Sequence, residues 1–317
     1  MGQRCLVFGG TGFLGMNLCY RLYREGYMIT VYGRNNAAFE RLKQRCPSIR
    51  FIYGNYQEEH EFDLLLKDID IVFHLISTTT PQNTNLFYDI ESNVLPTIHL
   101  LESCRNCKVK QIIYFSSGGT VYGIPKNIPI AETADLNPIS SYGVHKVTVE
   151  KCISYYGQYY GIDYKIIRIS NPYGPGQNPF SGQGVIAAFL AKALMKECIE
   201  IWGDGTIIRD YIYIDDVIDA IILLMHYNGE YNTFNIGYGE GHSLNELIKE
   251  IEGVLELKLK VIYSEGRKQD VKLNILDTNL ISNQLKWKPI IELKSGISKM
   301  KNFWNQEEKC FAFFESE

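Results

Sequence analysis

Strand and helix alternate along this 317-residue chain, and that alternation predicts an α/β fold: a doubly wound parallel sheet. Three observations carry the reading. Short apolar runs dense in β-branched and aromatic residues recur through the first half. They lack strict alternation, as expected of strands covered on both faces. Amphipathic stretches long enough for helices separate them, and three glycines follow the first run directly.

The elements read in order as follows. "RCLVF" (4–8) is the first strand, and Phe13–Arg24 the first helical pattern. "YMITVY" (27–32), "IRFIY" (49–53) and "IDIVFHLI" (69–76) are the next strands. A helix is expected over Phe87–Arg105, then the strand "KQIIYF" (110–115), a helix over Ser141–Tyr160, and the strand "YKIIRI" (164–169). The loop "NPYGPGQNPFSGQG" (171–184) follows that sixth strand, and loops at the carboxyl ends of strands are where such sheets bind ligands. Beyond it the pattern is less regular. Helices are expected over Val185–Lys196 and over 243–255, where Ser243 and Glu246 have the spacing of a capping box.

Composition narrows the function. Hydrophobic residues make up 45% and charged residues 21%, as in an ordinary soluble enzyme. The formal net charge is -4 with no basic block, which argues against a nucleic-acid partner. No signal peptide and no membrane span are read, so a cytoplasmic location is expected. The 8 cysteines have no framework spacing and are expected to be reduced thiols. Cys104 and Cys107 form a CxxC, but no second pair or nearby histidine completes a metal site.

In "LVFGGTGFLG", Gly9 permits a tight turn, Gly12 lets the backbone approach a pyrophosphate, and Gly15 allows close helix–strand packing. The helix start at Phe13 and Leu14 adds N–H donors and a favourable dipole. After the first strand of a βαβ unit this is a strong dinucleotide signal. "SYGVHK" sets Tyr142 and Lys146 four apart, on one helix face. A nearby ammonium favours a phenolate and lowers the tyrosine pKa from about 10. Such a phenol exchanges a proton with a sugar hydroxyl near neutral pH. Lys146 is also placed to hydrogen-bond a nicotinamide ribose.

"GGTGFLG", "FSSGGTVYG", "YGVHK", "NPYGPGQ", "GDGTIIRDYIYIDDV" and "YNTFNIG", in that order, resemble the extended short-chain dehydrogenase/reductase family and its nucleotide-sugar epimerases, dehydratases and reductases. The resemblance covers nearly the whole chain. It implies a Rossmann-type dinucleotide domain over 1–170 with 204–237, and a smaller C-terminal domain for the nucleotide sugar over 171–203 with 238–317. It implies that Asn171 faces the sugar and that Arg209 and Arg267 meet the diphosphate, where a guanidinium makes paired hydrogen bonds. It also implies a homodimer through a four-helix bundle of 87–105 and 141–160, with Val94, Ile98, Leu101, Val147 and Ile153 as surplus apolar residues.

Three positions depart from the common epimerase pattern. Gly118 stands where the family has its catalytic Ser or Thr. The neighbouring hydroxyls are Ser116, Ser117 and Thr120, of which Ser117 is preferred and Thr120 second. Asn55 stands where relatives carry an acid for the adenine amino group, and its carbonyl accepts as well. In "VYGRNN" (31–36), Gly33 replaces the carboxylate that binds the adenosine ribose, and Arg34 is placed to attract a 2′-phosphate. The cofactor is therefore read as NADP(H) or NAD(H), tilted toward the former.

That tilt favours a reductase, which exchanges its cofactor every cycle. The first reading is reduction at C4 of a dTDP-4-keto-6-deoxyhexose, giving a product of the dTDP-fucose type for surface polysaccharide. The alternative is a UDP-hexose 4-epimerase of the UDP-glucose/UDP-galactose type. A third reading is a non-catalytic dinucleotide sensor, favoured by Gly118 and opposed by Tyr142 and Lys146.

Overall fold

A computed structural model describes residues 2–266 and 271–306. The strands are β1 (Arg4–Phe8), β2 (Met28–Gly33), β3 (Arg50–Tyr53), β4 (Ile71–His74), β5 (Gln111–Ser117), β6 (Asp163–Ile169), β7 (Asn171–Tyr173), β8 (Ile199–Trp202), β9 (Ile208–Tyr213), β10 (Thr233–Ile236), β11 (Gly241–Ser243), β12 (Val261–Ser264) and β13 (Leu273–Asn274). Seven of them form one sheet in the order β3-β2-β1-β4-β5-β6-β10. The pairings from β3 through β5 are parallel. The chain moves outward from β1 to β3 and then crosses back to β4. The order reverses at β1, and the crevice beside β1 is where such sheets take ligands. The fold is thus the doubly wound α/β sheet expected from the sequence.

The helices follow from local chemistry. The first, α1 (Phe13–Arg24), buries Leu18, Cys19 and Leu22 and ends with Arg21 and Arg24, which suit the negative end of its dipole. Next comes α2 (Asn36–Arg45), where Asn35 Oδ1 accepts from Ala38 N at 2.9 Å as an N-cap. A short α3 (Asp63–Leu66) precedes β4. The helix expected over Phe87–Arg105 is interrupted: α4 (Leu86–Asp89) passes through a π-turn at Ile90–Val94 into α5 (Leu95–Asn106). Pro96 is the reason. It has no N–H to bond the Ser92 carbonyl, and its ring would clash with that carbonyl in a regular helix. Next, α6 (Ser141–Tyr160) starts where Ser140 Oγ accepts from Gly143 N and stops at Gly161, φ 75. The remaining helices are α7 (Val185–Leu194), α8 (Ile214–Met225), α9 (Leu244–Leu255), α10 (Asn279–Leu285) and α11 (Leu293–Gln306). The seventh stops two residues short of the expected Lys196, which turns left-handed at φ 61. The capping box of Ser243 and Glu246 heads α9 as expected.

The chain packs as two compact units. The first takes the chain up to Ile124, then Asp135–Arg168 and Ile221–Phe234; the second takes Pro125–Ala134, Ile169–Ala220 and the chain from Asn235 on. In the first, Leu6, Phe8, Val72, Ile112, Ile153 and Ile166 belong to one buried cluster. In the second, β9 pairs antiparallel with β11 and parallel with β7 and β13. Buried Asp210 ties that sheet to its loops by accepting from the N–H groups of Tyr238 (2.8 Å), Gly239 (3.2 Å) and Leu276 (3.2 Å). Burial raises its carboxyl pKa to about 6, against the pull of those donors. Among the described residues no helix is long and apolar enough to cross a membrane, and no cluster of three metal-ligating side chains exists.

A tight constraint lies between α1 and the turn after β1. A Cβ at residue 15 would sit 2.2 Å from Gly9 O and 2.6 Å from Gly10 Cα. Gly15→Ala should therefore lower stability by about 1–3 kcal/mol, the cost of overpacking, measured by urea unfolding. A loss below about 0.5 kcal/mol, the ordinary surface range, would show that the helix shifts at little cost.

Candidate active site

The first unit brings the predicted cofactor residues to the carboxyl ends of β1, β2 and β3. Gly9 takes φ 82, and a Cβ there would meet Ile76 N at 3.1 Å. Gly12 N donates to Gly9 O at 3.1 Å and closes the turn. Gly12 is the N-cap of α1, exposed, with no side-chain cap and no acidic residue in the first turn. Phe13 and Leu14 follow it, half-buried. An uncapped helix start with glycine on its approach fits an anionic phosphate group. The roles anticipated for Gly9 and Gly15 in turn and packing match this geometry.

Gly33 ends β2 in a φ outside the left-handed region, and a Cβ there would only touch Thr11 Oγ1 at 3.6 Å. Its lack of a side chain is a chemical choice, not a backbone requirement. Arg34 is exposed and makes no ion pair among the described residues. Asn55 is half-buried just past β3, and its Oδ1 lies 3.4 Å from Gln57 N.

Tyr142 and Lys146 lie one turn apart on α6, with Lys146 Nζ 5.6 Å from the Tyr142 ring centre. Lys146 is buried and donates to Phe115 O at 2.9 Å. Burial pushes its pKa down to about 8, opposed by the charge of Glu150. The expectation that Lys146 lowers the tyrosine pKa is not met. Burial raises Tyr142 to about 12, a hydrogen bond with Ser77 opposes the rise, and Asp89 adds to it. The ammonium is directed at the Phe115 carbonyl, not at the phenol. At neutral pH Tyr142 therefore carries its proton and Lys146 its charge.

The three candidate hydroxyls separate. Ser116 is buried and donates to Glu150 Oε1, so it is committed to the structure. Ser117 is half-buried, and its Oγ has no hydrogen-bond partner among the described residues. Thr120 Oγ1 is buried without a partner. The N–H groups of Thr120 and Val121 both donate to Ser117 O, at 3.2 and 3.1 Å, which folds the loop back around Gly118.

Several groups here escaped the sequence reading. Ser77 lies just past β4 and bonds the Tyr142 hydroxyl; its only signal was that position. Buried His145 sits edge-on to Tyr142 at 4.9 Å, with Nδ1 3.3 Å from Asp89 Oδ1. Burial lowers its pKa to about 4, so it is neutral. His74 is likewise lowered to about 3, by burial and then by Lys146, and shares hydrogen bonds with Tyr56 (3.0 Å) and Thr97 (2.9 Å). The CxxC is two inert thiols: Cys104 is buried and Cys107 Sγ donates to Asp63 O at 3.5 Å.

The second unit holds a cavity of about 410 Å³ lined by Asn171, Arg209, Tyr211, Trp202, Phe189 and Gly184, among others. Asn171 Nδ2 donates to Asp210 O at 2.9 Å, and Arg209 Nη1 to Ile208 O at 2.9 Å. The N-terminus of α7 opens there at Gly184, φ 83, without a side-chain cap. Two of the three residues expected to hold a nucleotide sugar therefore meet in one cavity. The third, Arg267, lies outside the described residues.

Residues 5–237 match the model of the NAD dependent epimerase/dehydratase family. A Methanocaldococcus jannaschii protein with a provisional UDP-glucose 4-epimerase name is 34% identical, over 94% of this chain and 97% of its own length. An Escherichia coli dTDP-4-dehydro-6-deoxyglucose reductase is 31% identical, over 93% of this chain and 95% of its own. The crystal structure of UDP-glucose 4-epimerase with UDP-glucose from Thermotoga maritima is 30% identical. It superimposes with a TM-score of 0.90 over 96% of this chain and 100% of that one.

The open space at Gly33 makes the loop testable. Gly33→Asp should fold with a stability change within about 0.5 kcal/mol and shift preference toward NAD(H) by supplying a ribose acceptor. Arg34→Ala should weaken NADP(H) about tenfold, the low end of a charge-assisted hydrogen bond at an exposed site. NAD(H) affinity should stay unchanged. Calorimetric titration of both cofactors reads this. An unchanged NADPH/NADH ratio in Arg34→Ala would make the arginine a solvated loop residue.

Proposed function

The chain belongs to the NAD dependent epimerase/dehydratase family, and from that premise we propose that it is a UDP-hexose 4-epimerase of the UDP-glucose/UDP-galactose type. The observation that carries this is the full-length likeness to an epimerase solved with UDP-glucose. The reductase reading rested on "VYGRNN". Arg34, exposed and without an ion pair among the described residues, lends it no further support. The epimerase alternative is therefore the better reading. Reduction of a dTDP-4-keto-6-deoxyhexose stays as a second reading because of the E. coli reductase. Family membership and the intact Tyr142–Lys146 pair set the sensor reading aside.

The first unit would bind the dinucleotide, through Gly9, Gly12, Phe13, Leu14 and Gly15 at the phosphates and Asn55 near the adenine. The second would bind the nucleoside-diphosphate sugar, with Arg209 and the α7 N-terminus meeting the diphosphate and Asn171 the sugar. When bound, NAD supplies the acceptor and donor of a hydride. Tyr142 takes the proton of the C4 hydroxyl and returns it to the C4 oxygen. Returning a proton suits its state at neutral pH. Taking one requires a nearby positive charge, which Lys146 supplies below its pKa of about 8. With Gly118 lacking a side chain, Ser117 or Thr120 orients the oxygen.

Incubated with UDP-galactose and no added reductant, the wild-type protein should form UDP-glucose, followed by chromatography. Tyr142→Phe keeps the ring and should lose about 10²–10⁴-fold in rate with dinucleotide affinity retained. A loss below tenfold would remove Tyr142 from the acid–base role. Absence of interconversion, with NAD(P)H consumed by a dTDP-4-keto-6-deoxyhexose, would establish the reductase instead.

A homodimer is the proposed assembly, with one revision. Val94, Leu101 and Ile153 turn into the protomer's own core and are not surplus. The exposed apolar residues on these helices instead include Phe87, Leu95, Tyr155 and Tyr159. An aromatic and aliphatic surface of this kind favours association. Light scattering at micromolar concentration should give twice the 36.4 kDa chain mass; a monomer would refute the bundle.

A further inference from the structure

A buried carboxylate sits beside the proposed catalytic pair, and the mechanism above gives it no part. Glu150 is on α6 one turn past Lys146 and two turns past Tyr142, so all three share a helix face. It is 2% exposed. A carboxylate so deeply buried is tolerable only when paired and hydrogen-bonded, and Glu150 is both. Arg168 of β6 places Nη2 2.7 Å from Oε2 and Nε 3.1 Å from Oε1. Ser116, near the end of β5, donates to Oε1.

The network extends around the hydroxyl loop. Arg168 Nη1 donates to Tyr122 Oη at 2.9 Å, and its guanidinium lies 5.1 Å from that ring centre. Ser116 and Tyr122 bracket the stretch 117–121, which holds Ser117 and Thr120. Lys146 grips the neighbouring residue, Phe115, through its carbonyl. Glu150 and Lys146 thus fasten α6 to two consecutive residues of β5. The charge environment of Lys146 is equally defined. His74 on β4 and His145 on α6 are neutral, and Tyr114 on β5 and Tyr142 on α6 are protonated. Arg168 on β6 is taken up by its pair with Glu150, and Glu150 is the carboxylate that favours the ammonium.

We propose that Glu150 is a positioning residue for the Tyr142–Lys146 pair: its carboxylate sets a negative charge one helical turn from Lys146 on the same face of α6 and, through Ser116 and Arg168–Tyr122, holds the hydroxyl loop against α6. The consequence for catalysis rests on the epimerase reading. The charge effect on Lys146 does not. A packing role alone would not require a charge, because neutral or apolar groups of similar shape often replace a buried ion pair without loss.

The test uses the full chain with isotope-labelled lysine, the Lys146 resonance being assigned by its loss in Lys146→Met. Glu150→Gln keeps the size and removes the charge, so Lys146 should titrate about one pH unit lower, the scale of one nearby opposite charge. Because that variant leaves Arg168 buried and unpaired, Glu150→Gln/Arg168→Met removes both charges and should still shift Lys146 downward if it remains folded. Arg168→Met alone should not lower it. Glu150→Asp keeps the charge and should restore the Lys146 titration. The basic limb of the kcat/KM profile with UDP-galactose should move down with Lys146 in the Gln variants. An unmoved Lys146 titration in either folded Gln variant overturns the proposal. The resonance is read without substrate, so failure of the epimerase assay leaves this test intact, and a shifted Lys146 without turnover would count against the epimerase reading alone.

Discussion

Three charged side chains are buried where β5, β6 and α6 meet, and the candidate site depends on how they offset one another. Arg168 and Glu150 form a close pair at 2.7 Å, and Lys146 lies one turn away with its ammonium on a backbone carbonyl. Stripped from water singly, each would cost several kcal/mol. Together with Ser116, Tyr122 and Phe115 they satisfy one another, and in doing so they set the position of α6 against the sheet. Tyr142 rides on that helix. The stretch holding Ser117 and Thr120 hangs from the same network at both ends. A buried polar cluster of this kind is demanding, because one missing partner strands the others. The geometry of the candidate acid–base groups is therefore coupled to the packing of the first unit.

The opposite design governs the phosphate cradle. There the sequence removes atoms. Gly9, Gly12 and Gly15 clear the turn after β1, so α1 starts close to the sheet with its N–H donors uncapped. Those donors suit an anion because no side chain among the described residues caps them. Gly33 belongs to the same economy of side chains but for another reason. Its backbone is unstrained and its surroundings have room for a Cβ. A carboxylate at that position is simply absent, which weakens discrimination against a 2′-phosphate without creating a built site for one. Such a loop fits a member of an NAD-dependent family better than it fits a dedicated NADP(H) reductase.

The surface of the first unit shows how sequence pattern and packing part company. Val94, Leu101 and Ile153 read as surplus apolar residues on helices, yet they are buried within the protomer. The π-turn at Ile90–Val94 changes which residues of α4 and α5 face inward, because it adds a residue to one turn and so rotates the faces relative to a regular helix. Phe87 and Leu95 are left on the outside. Pro96 was visible in the sequence; the rotation it imposes was not.

What the sequence determined by itself is the set of local requirements. Strand and helix alternation, the glycine triplet, the Ser243 cap and the Tyr142–Lys146 spacing are each decided by residues a few positions apart. The parallel sheet, the cradle and the capping box were therefore legible. So was the meeting of Asn171 and Arg209, through resemblance. The protonation and allegiance of the polar groups, by contrast, are set only once the chain has folded. Lys146 looked like the partner of Tyr142, and in the folded chain it bonds Phe115. Ser116, Ser117 and Thr120 looked alike, and burial against Glu150 separates the first from the others. Asp89, Glu150 and Arg168 carried no signal and Ser77 only its place after β4, because their partners lie on other elements. Electrostatics and desolvation depend on which charges share a low-dielectric space, and only the closed fold brings groups as far apart in sequence as Ser116 and Glu150 into that space.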